Sequence, residues 1–180
     1  MSRNPKHLRN AKDYVNCQLR ASLAVLDLHS MPVHIRAYMP KDAIFLAAIF
    51  YDSVRIAGLL DYSQAQVGVW APEVPDPVKF DERAHDGRSV FVVVNDVDVP
   101  AAYGELEHNG HIDHLYCRPE LIGRGLASAL YDRLEQEAEM LEIPRLFVEA
   151  SEAARRLFLS KGLFGCIPLT YVKIVPIYNR

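Results

Sequence analysis

The pattern of hydrophobic and polar positions predicts a chain of mixed strands and helices. A period of two over Val33–Met39 predicts a first strand, and an amphipathic helix follows from Pro40 to about Val54. Further alternating or β-branched runs, the last two joined by an Asn-Gly turn, predict three antiparallel strands over Ser89–Val94, Pro100–Glu107 and His111–Cys117.

The second half of the chain alternates helix and strand. Apolar residues at helical spacing extend from Leu126 to about Leu141, and Arg145–Ala150 reads as a buried strand. A helix is predicted from Ser151 to Gly162, before a β-rich tail over Ile167–Ile177. Residues 57–86 predict short helical pieces between prolines, with Ser63 as an N-cap. The order indicates a mixed α/β layer fold.

Composition limits the number of domains and the class of partner. With 180 residues, of which 50% are hydrophobic, the chain fits one globular domain. A net charge of -3 argues against nucleic acid as a partner. Residues 1–31 differ in character from the rest and are interpreted as an N-terminal extension, an arm or a non-native start ahead of the domain at 32–180.

Cysteine usage and hydropathy bear on the compartment. The three cysteines, Cys17, Cys117 and Cys166, are widely spaced and lack the pairing of a zinc site or a disulfide framework, so buried free thiols and no metal are expected. No apolar run is expected to approach the roughly 20 residues of a membrane span. These features predict a cytoplasmic protein that does not contact membranes.

A glycine-bearing turn lies between the last of the three antiparallel strands and the long helix. Gly123-Arg124-Gly125 follows Pro119, and the helix pattern starts at once. Glycines let the backbone approach a ligand, and the bare N–H groups and partial positive charge of a helix start suit a phosphate. Taken alone the turn is either an anion cradle or ordinary punctuation of the chain.

Two motifs resemble the GNAT superfamily of acyl-CoA-dependent N-acetyltransferases over roughly residues 32–176. Leu115 to Ala127 (LYCRPELIGRGLA) is similar to that family's strand, proline and pyrophosphate loop, and Ala154 to Leu163 to its last conserved helix. GHIDHLYCRP and VEAS resemble a bacterial subgroup largely of unassigned substrate. The resemblance implies a single-domain α/β (α+β) GNAT fold, in which helices flank a mixed, mainly antiparallel, splayed central sheet.

The resemblance also implies acetyl-CoA as cosubstrate and a set of residues that bind it. Backbone groups of Leu115, Tyr116 and Cys117 would hold the pantetheine arm like an added strand. The pyrophosphate would lie against the glycine turn and the helix start, at Gly123, Arg124, Gly125, Leu126, Ala127 and Ser128. Ile122 departs from the family, which usually has Gln or Arg there, but a cradle of backbone N–H groups does not depend on that side chain.

Acetylation of an amine needs a group that accepts its proton. Asp113 and His111 share a strand face and resemble base positions of the family, so they are the first candidates for the general base, directly or through water. Glu107 and Glu149, on flanking strands, are second choices. The alternative is a structural role for Asp113 and an exposed turn position for His111. His114 is expected on the opposite face, as a packing or surface residue.

The general acid is less clear, because Phe158 stands where the family usually has a tyrosine. Tyr116, Tyr103, Tyr171 or solvent would then protonate the leaving thiolate. Cys117 is not expected to act as a covalent nucleophile, because no histidine lies beside it on its own face.

The chain is therefore expected to transfer an acetyl group from acetyl-CoA to the primary amine of a small molecule or amino-acid-like acceptor, by direct attack in a ternary complex. The aromatic residues Tyr51, Tyr62 and Trp70 would either cover the edge of the core or form a wall of the acceptor pocket. The resemblance allows a homodimer. The alternative function is a GNAT-fold acyl-CoA-binding sensor or interaction module with weak catalysis or none.

Overall fold

The computed structural model of the protein describes residues 33–167 and 170–175. The interpretation of residues 1–31 as an extension, and the end of the predicted β-rich tail, lie outside the described residues.

The first sheet contains the four predicted N-terminal strands in sequence order. Each strand is antiparallel to its neighbour, as the Asn-Gly turn and the short connections require. Its strands are β1 Val33–Ala37, β2 Ser89–Asn95, β3 Pro100–Leu106 and β4 Ile112–Cys117.

Helices cover both faces of this sheet. The alternation of β2 directs Val90, Val92 and Val94 toward the first and third helices, while Phe91 and Val93 face the fourth. Ser63 caps the second helix as predicted, through a capping box with Gln66. The helices are α1 Ala43–Arg55, α2 Gln64–Trp70, α3 Pro77–Ala84, α4 Leu126–Met140 and α5 Glu152–Ser160.

The helical run Pro40–Leu60 is more apolar than the sequence analysis expected. The run has 21 residues, and the mean hydropathy of its most apolar window is 1.7, so it is long and apolar enough to cross a membrane by length and composition. In the fold, 44% of its most apolar window is buried, and Leu46 and Ile49 pack against the first sheet. A helix buried in a protein core meets the same criterion of length and apolar composition, so packing in the core accounts for part of this apolarity.

The second sheet is formed by the C-terminal strands. It contains β5 Arg145–Glu149, β6 Phe164–Ile167 and β7 Thr170–Ile174 in the order β5-β7-β6, with both pairs antiparallel. The predicted strand and helix at 145–162 and a β-rich region after them are confirmed.

In the described part of the chain a single β-bridge connects β5 to the residues just before β4. His111 forms an isolated parallel bridge with Phe147, and the N–H of Phe147 donates to the carbonyl of Gly110 at 2.9 Å. Beyond this bridge the strands belong to separate sheets. The splayed arrangement that the resemblance implied is therefore present, with the opening at the C-terminal end of β4.

Substitution of Gly110 by alanine tests how much the fold depends on this bridge. Gly110 has a φ of +91°, and an added Cβ would collide with the carbonyl of Arg145. We expect Gly110→Ala to lower the free energy of unfolding by about 3 kcal/mol, since it combines left-handed strain with a backbone clash. Urea denaturation measures the change.

Gly123→Ala is the matched control. It has a similar φ of +84° but nothing within 4 Å of the added Cβ, so we expect a clearly smaller loss. Equal losses in the two variants would show that the clash at the bridge is relieved without cost.

Candidate active site

A cavity of about 450 Å³ opens where the two sheets diverge. The end of β4 and the glycine turn form one wall, and α5 contributes Ala154 and Leu157. The α1–α2 segment closes a further side, where Tyr62 and Trp70 contact each other edge to face. Tyr62 also accepts a hydrogen bond from the N–H of Glu152 at 3.0 Å, which ties this segment to the start of α5.

The glycine turn presents backbone rather than side chains to this cavity. Gly123 and Gly125 have φ values of +84° and +81°, and an added Cβ at either would meet nothing within 4 Å. Gly125 is the N-cap of α4, so the N–H groups that follow it are among those without intrahelical partners. Of the residues predicted for this loop and strand, Arg124 is exposed and does not line the cavity. The others line it: Leu115, Tyr116, Cys117, Gly123, Gly125, Leu126, Ala127 and Ser128.

The Cys117 position combines a hydrogen-bonded carbonyl with a partly buried thiol. The Ser53 hydroxyl donates to the Cys117 carbonyl at 2.5 Å and thus fixes α1 to the end of β4. Burial, with a smaller contribution from Glu120, raises the pKa of the Cys117 thiol to about 11. A thiol that stays protonated at neutral pH is a poor nucleophile, which agrees with the expected packing role.

A smaller cavity, of about 60 Å³, adjoins the first one between β4 and β5. Asp113, Glu149 and Phe158 line it. The two cavities share Leu115, Tyr116, Trp70, Ser151 and Ala154. Tyr116 therefore lies where a group bound in the large cavity would meet a group bound in the small one.

A β-bulge decides which side chains of β4 face this region. Leu115 pairs with Gly104 but Ile112 pairs with Leu106, so Asp113 and His114 together lie opposite Glu105. Ile112 and Leu115 both pack in the core under α4, and both bulge residues face the other side. The expectation that His114 lies opposite Asp113 is therefore wrong, because strict alternation does not hold through a bulge.

Two arginines connect the carboxylates on this face. Arg83 of α3 donates to Glu105 at 2.6 Å and to Asp113 at 2.5 Å through the same nitrogen. Arg88 donates to Glu105 at 2.7 Å and to Asp113 at 3.1 Å. Glu105 is 2% exposed, so these contacts compensate a fully buried charge.

His114 and the arginines together keep both carboxylates ionised. Burial alone would raise the pKa of Glu105, but hydrogen bonding to His114 and the charge of Arg83 outweigh it and lower the pKa to about 2. Partial burial acts on Asp113 in the same way, and its pKa is likewise lowered by the hydrogen bond from Arg83. An ionised Asp113 with a lowered pKa is a weak proton acceptor.

The other predicted bases lie in two different places. Glu149 lines the small cavity together with Asp113. His111 stacks on Phe147 at 4.9 Å between ring centroids, and its Nδ1 lies 3.4 Å from Glu107. His111 and Glu107 therefore lie at the bridge between the sheets and do not line either cavity.

Three tyrosines were candidates to replace the missing acid on α5. Phe158 is buried, lines the small cavity and contacts the ring of Tyr131. Tyr116 lines both cavities, and burial raises its pKa. Burial raises the pKa of Tyr103 well above its usual range, and neither Tyr103 nor Tyr171 lines a cavity.

Sequence reasoning missed Arg83, Arg88, Glu105 and the role of His114. The available signal was Glu105 itself, a charged residue in the apolar run PAAYGEL of β3, which calls for buried cationic partners. The identity of those partners depends on how α3 and the start of β2 pack.

Comparisons with known proteins agree with this geometry. Residues 59–169 match the family model described as an acetyltransferase (GNAT) domain. The uncharacterized N-acetyltransferase YafP of Escherichia coli (strain K12) is 32% identical over 131 residues, which are 72% of this chain and 80% of YafP.

Solved structures show the same fold. A GCN5-related N-acetyltransferase from Rhodopseudomonas palustris matches with a TM-score of 0.70 at 30% identity, covering 80% of this chain and 97% of that one. The putative acetyltransferase yncA of Salmonella typhimurium, solved with acetyl-CoA, matches in fold with a TM-score of 0.63 at 17% identity, covering 83% and 97%. The chain belongs to the GNAT family and is an acetyl-CoA-dependent N-acetyltransferase. The predicted family, fold class and enzyme class are confirmed.

The pH dependence of stability tests the buried carboxylate. Because Glu105 has a pKa of about 2 in the fold and an ordinary value of 4.5, the unfolded chain binds more protons between these values. Its contribution, roughly 2–3 kcal/mol, is present above pH 4.5 and is lost as the pH falls toward 2. We expect Glu105→Gln to flatten the rise of unfolding free energy with pH across this window, measured by urea denaturation.

The exposed Glu139 of α4 supplies the control. Glu139→Gln should leave the slope close to that of the wild type. A Glu105→Gln slope equal to the wild-type slope would contradict the low pKa of Glu105.

Proposed function

We propose that the protein transfers the acetyl group of acetyl-CoA to the primary amine of a small molecule or amino-acid-like acceptor, by direct attack in a ternary complex. The observation that carries this proposal is the meeting of two cavities at Tyr116, one suited to the cosubstrate and one to the acceptor.

The large cavity suits acetyl-CoA. The N–H groups after Gly125 would hold the pyrophosphate. The edge of β4 at Leu115 and Cys117, which has no partner strand among the described residues, would hold the pantetheine arm. The acetyl group would then arrive near Tyr116. No side chain of the loop needs to be charged, which makes the departure at Ile122 tolerable.

The small cavity suits an ammonium group. Among its lining residues the charged ones are Asp113 and Glu149, and the aromatic ones are Trp70, Tyr116 and Phe158. Carboxylates and aromatic faces attract cations. Of the four candidate bases, Asp113 and Glu149 line this cavity. With its lowered pKa, Asp113 is better suited to orient the ammonium than to deprotonate it.

Turnover across a panel of acceptors tests the proposal and separates it from the alternative of a binding module. We expect release of free CoA thiol with small primary amines, and a lower KM for amines without a carboxylate than for matched amino acids, because the small cavity carries negative charge. A thiol-reactive dye measures CoA release, and calorimetry measures acetyl-CoA binding.

Acetyl-CoA binding without turnover on any amine would favour the alternative, a sensor or interaction module. Acidic acceptors with the lowest KM would contradict the charge argument while leaving the acetyltransferase assignment in place.

Tyr116 is the proposed partner of the leaving thiolate. Since burial raises its pKa, the phenol stays protonated and would stabilise the thiolate by a hydrogen bond rather than by complete proton transfer. We expect Tyr116→Phe to lower kcat by about 10- to 100-fold, the value of a hydrogen bond to a charged group, with acetyl-CoA affinity nearly unchanged.

The control for this variant is Tyr38→Phe, which removes the same atom from a hydroxyl that donates to Asp81 and lies outside both cavities. If Tyr116→Phe retained the wild-type kcat, solvent alone would be sufficient to stabilise or protonate the leaving thiolate.

A further inference from the structure

We propose that His114 accepts the proton of the acceptor ammonium at its Nε2 atom, and that Glu105 is the residue that positions it. This inference rests on the proposed transfer to an amine. It differs from the bases expected from the sequence, because it depends on the bulge in β4 that places His114 beside Asp113.

Contacts at the other ring nitrogen fix the tautomer. His114 Nδ1 lies 3.3 Å from Glu105 and 3.1 Å from the Tyr103 hydroxyl. Glu105 is ionised, and a carboxylate can only accept, so Nδ1 carries the hydrogen in the neutral ring. The lone pair of the neutral imidazole is therefore on Nε2, the arrangement that a general base needs.

Aromatic side chains hold the ring in place. Phe50 of α1 stacks on it with centroids 5.5 Å apart and planes at 21°, and Tyr116 contacts it edge-on at 5.3 Å. The side chain is 15% exposed and does not itself line either cavity, but its chain neighbour Asp113 and its ring contact Tyr116 line the small one. An acceptor bound there would reach Nε2 through one bridging water molecule.

The charges around the ring favour the imidazole, rather than a carboxylate or a phenol, as the group that exchanges a proton. Glu105 and Asp113 face it from β3 and β4, and Arg83 and Arg88 pair with both carboxylates. The carboxylates stay ionised, and the neighbouring phenols Tyr103 and Tyr116 stay protonated.

Imidazole is the side chain suited to proton exchange near neutral pH. The acceptor R–NH₃⁺ would transfer one proton to Nε2, which becomes the imidazolium. The freed nitrogen lone pair would attack the thioester carbonyl carbon, and the C–S bond would break with its electron pair leaving on the CoA sulfur.

The pH profile of kcat/KM tests the proposal, using the acceptor that the wild-type protein turns over best. We expect His114→Gln to lower kcat/KM by about 100-fold or more, the contribution of a general base, and to remove the loss of activity on acidification. Glu105→Gln should also lower kcat/KM, because the carboxylate that positions the ring through Nδ1 is gone. Acetyl-CoA affinity, measured by calorimetry, should be retained and so reports folding.

Tyr103→Phe is the matched control, since it removes the other Nδ1 partner and keeps the ring. Tyr103→Phe should retain the loss of kcat/KM on acidification, which is the acidic limb of the pH profile. His114→Gln with an unchanged acidic limb and near wild-type kcat/KM would overturn the proposal, as would a Tyr103→Phe profile that matches Glu105→Gln.

Nitrogen-15 NMR of the imidazoles gives a readout that needs no turnover. We expect the neutral His114 ring of the wild type to be protonated at Nδ1, and the Glu105→Gln ring to lose this preference. A wild-type ring protonated at Nε2 would overturn the proposal even in an active enzyme. If the His114 ring is protonated at Nδ1 as expected but no amine is turned over, the result would count against the proposed function instead.

Discussion

The hydrogen bond from the N–H of Phe147 to the carbonyl of Gly110 links the two sheets. The strands diverge beyond this link, and the cavities lie in the space between them. Parallel neighbours such as β4 and β5 would ordinarily continue as one sheet. Here they part after a single bridge, so within residues 33–167 and 170–175 β4 has an edge without a partner strand and a gap beside it. An exposed edge binds extended ligands readily. The glycine turn at the end of the same strand adds the N–H groups of a helix start.

The β4 bulge determines the chemistry at the inner end of the gap. If β4 alternated regularly from Leu115, Asp113 would face the apolar core under α4, where an unpaired carboxylate is costly. The extra residue turns Asp113 toward Arg83 and Arg88 instead, on the side where His114 meets Glu105. The same bulge keeps Ile112 and Leu115 in that core, so packing is retained while two polar side chains are collected on the other face.

The pairing of Glu105 and Asp113 with two arginines determines the protonation states of the groups at this site. Arg83 and Arg88 make a buried Glu105 tolerable, and they also hold Asp113 in its ionised form. A pair of arginines thus lowers the basicity of the nearest carboxylate while leaving an anion beside the imidazole. Division of the roles between groups of different pKa is a general feature of acid–base sites.

The sequence by itself determined the order of elements, the glycine turn and the family. Local periodicity and turn chemistry act over a few residues, so strands, helices and the cap at Ser63 could be predicted from them. Only the tertiary structure decided which titratable groups meet. Arg83 lies 22 residues from Glu105 and 30 from Asp113 in the chain, and Asp113 shares a face with His114 only because of a register shift against β3. Pairing over such distances and across a bulge is a property of packing, which residue spacing does not record.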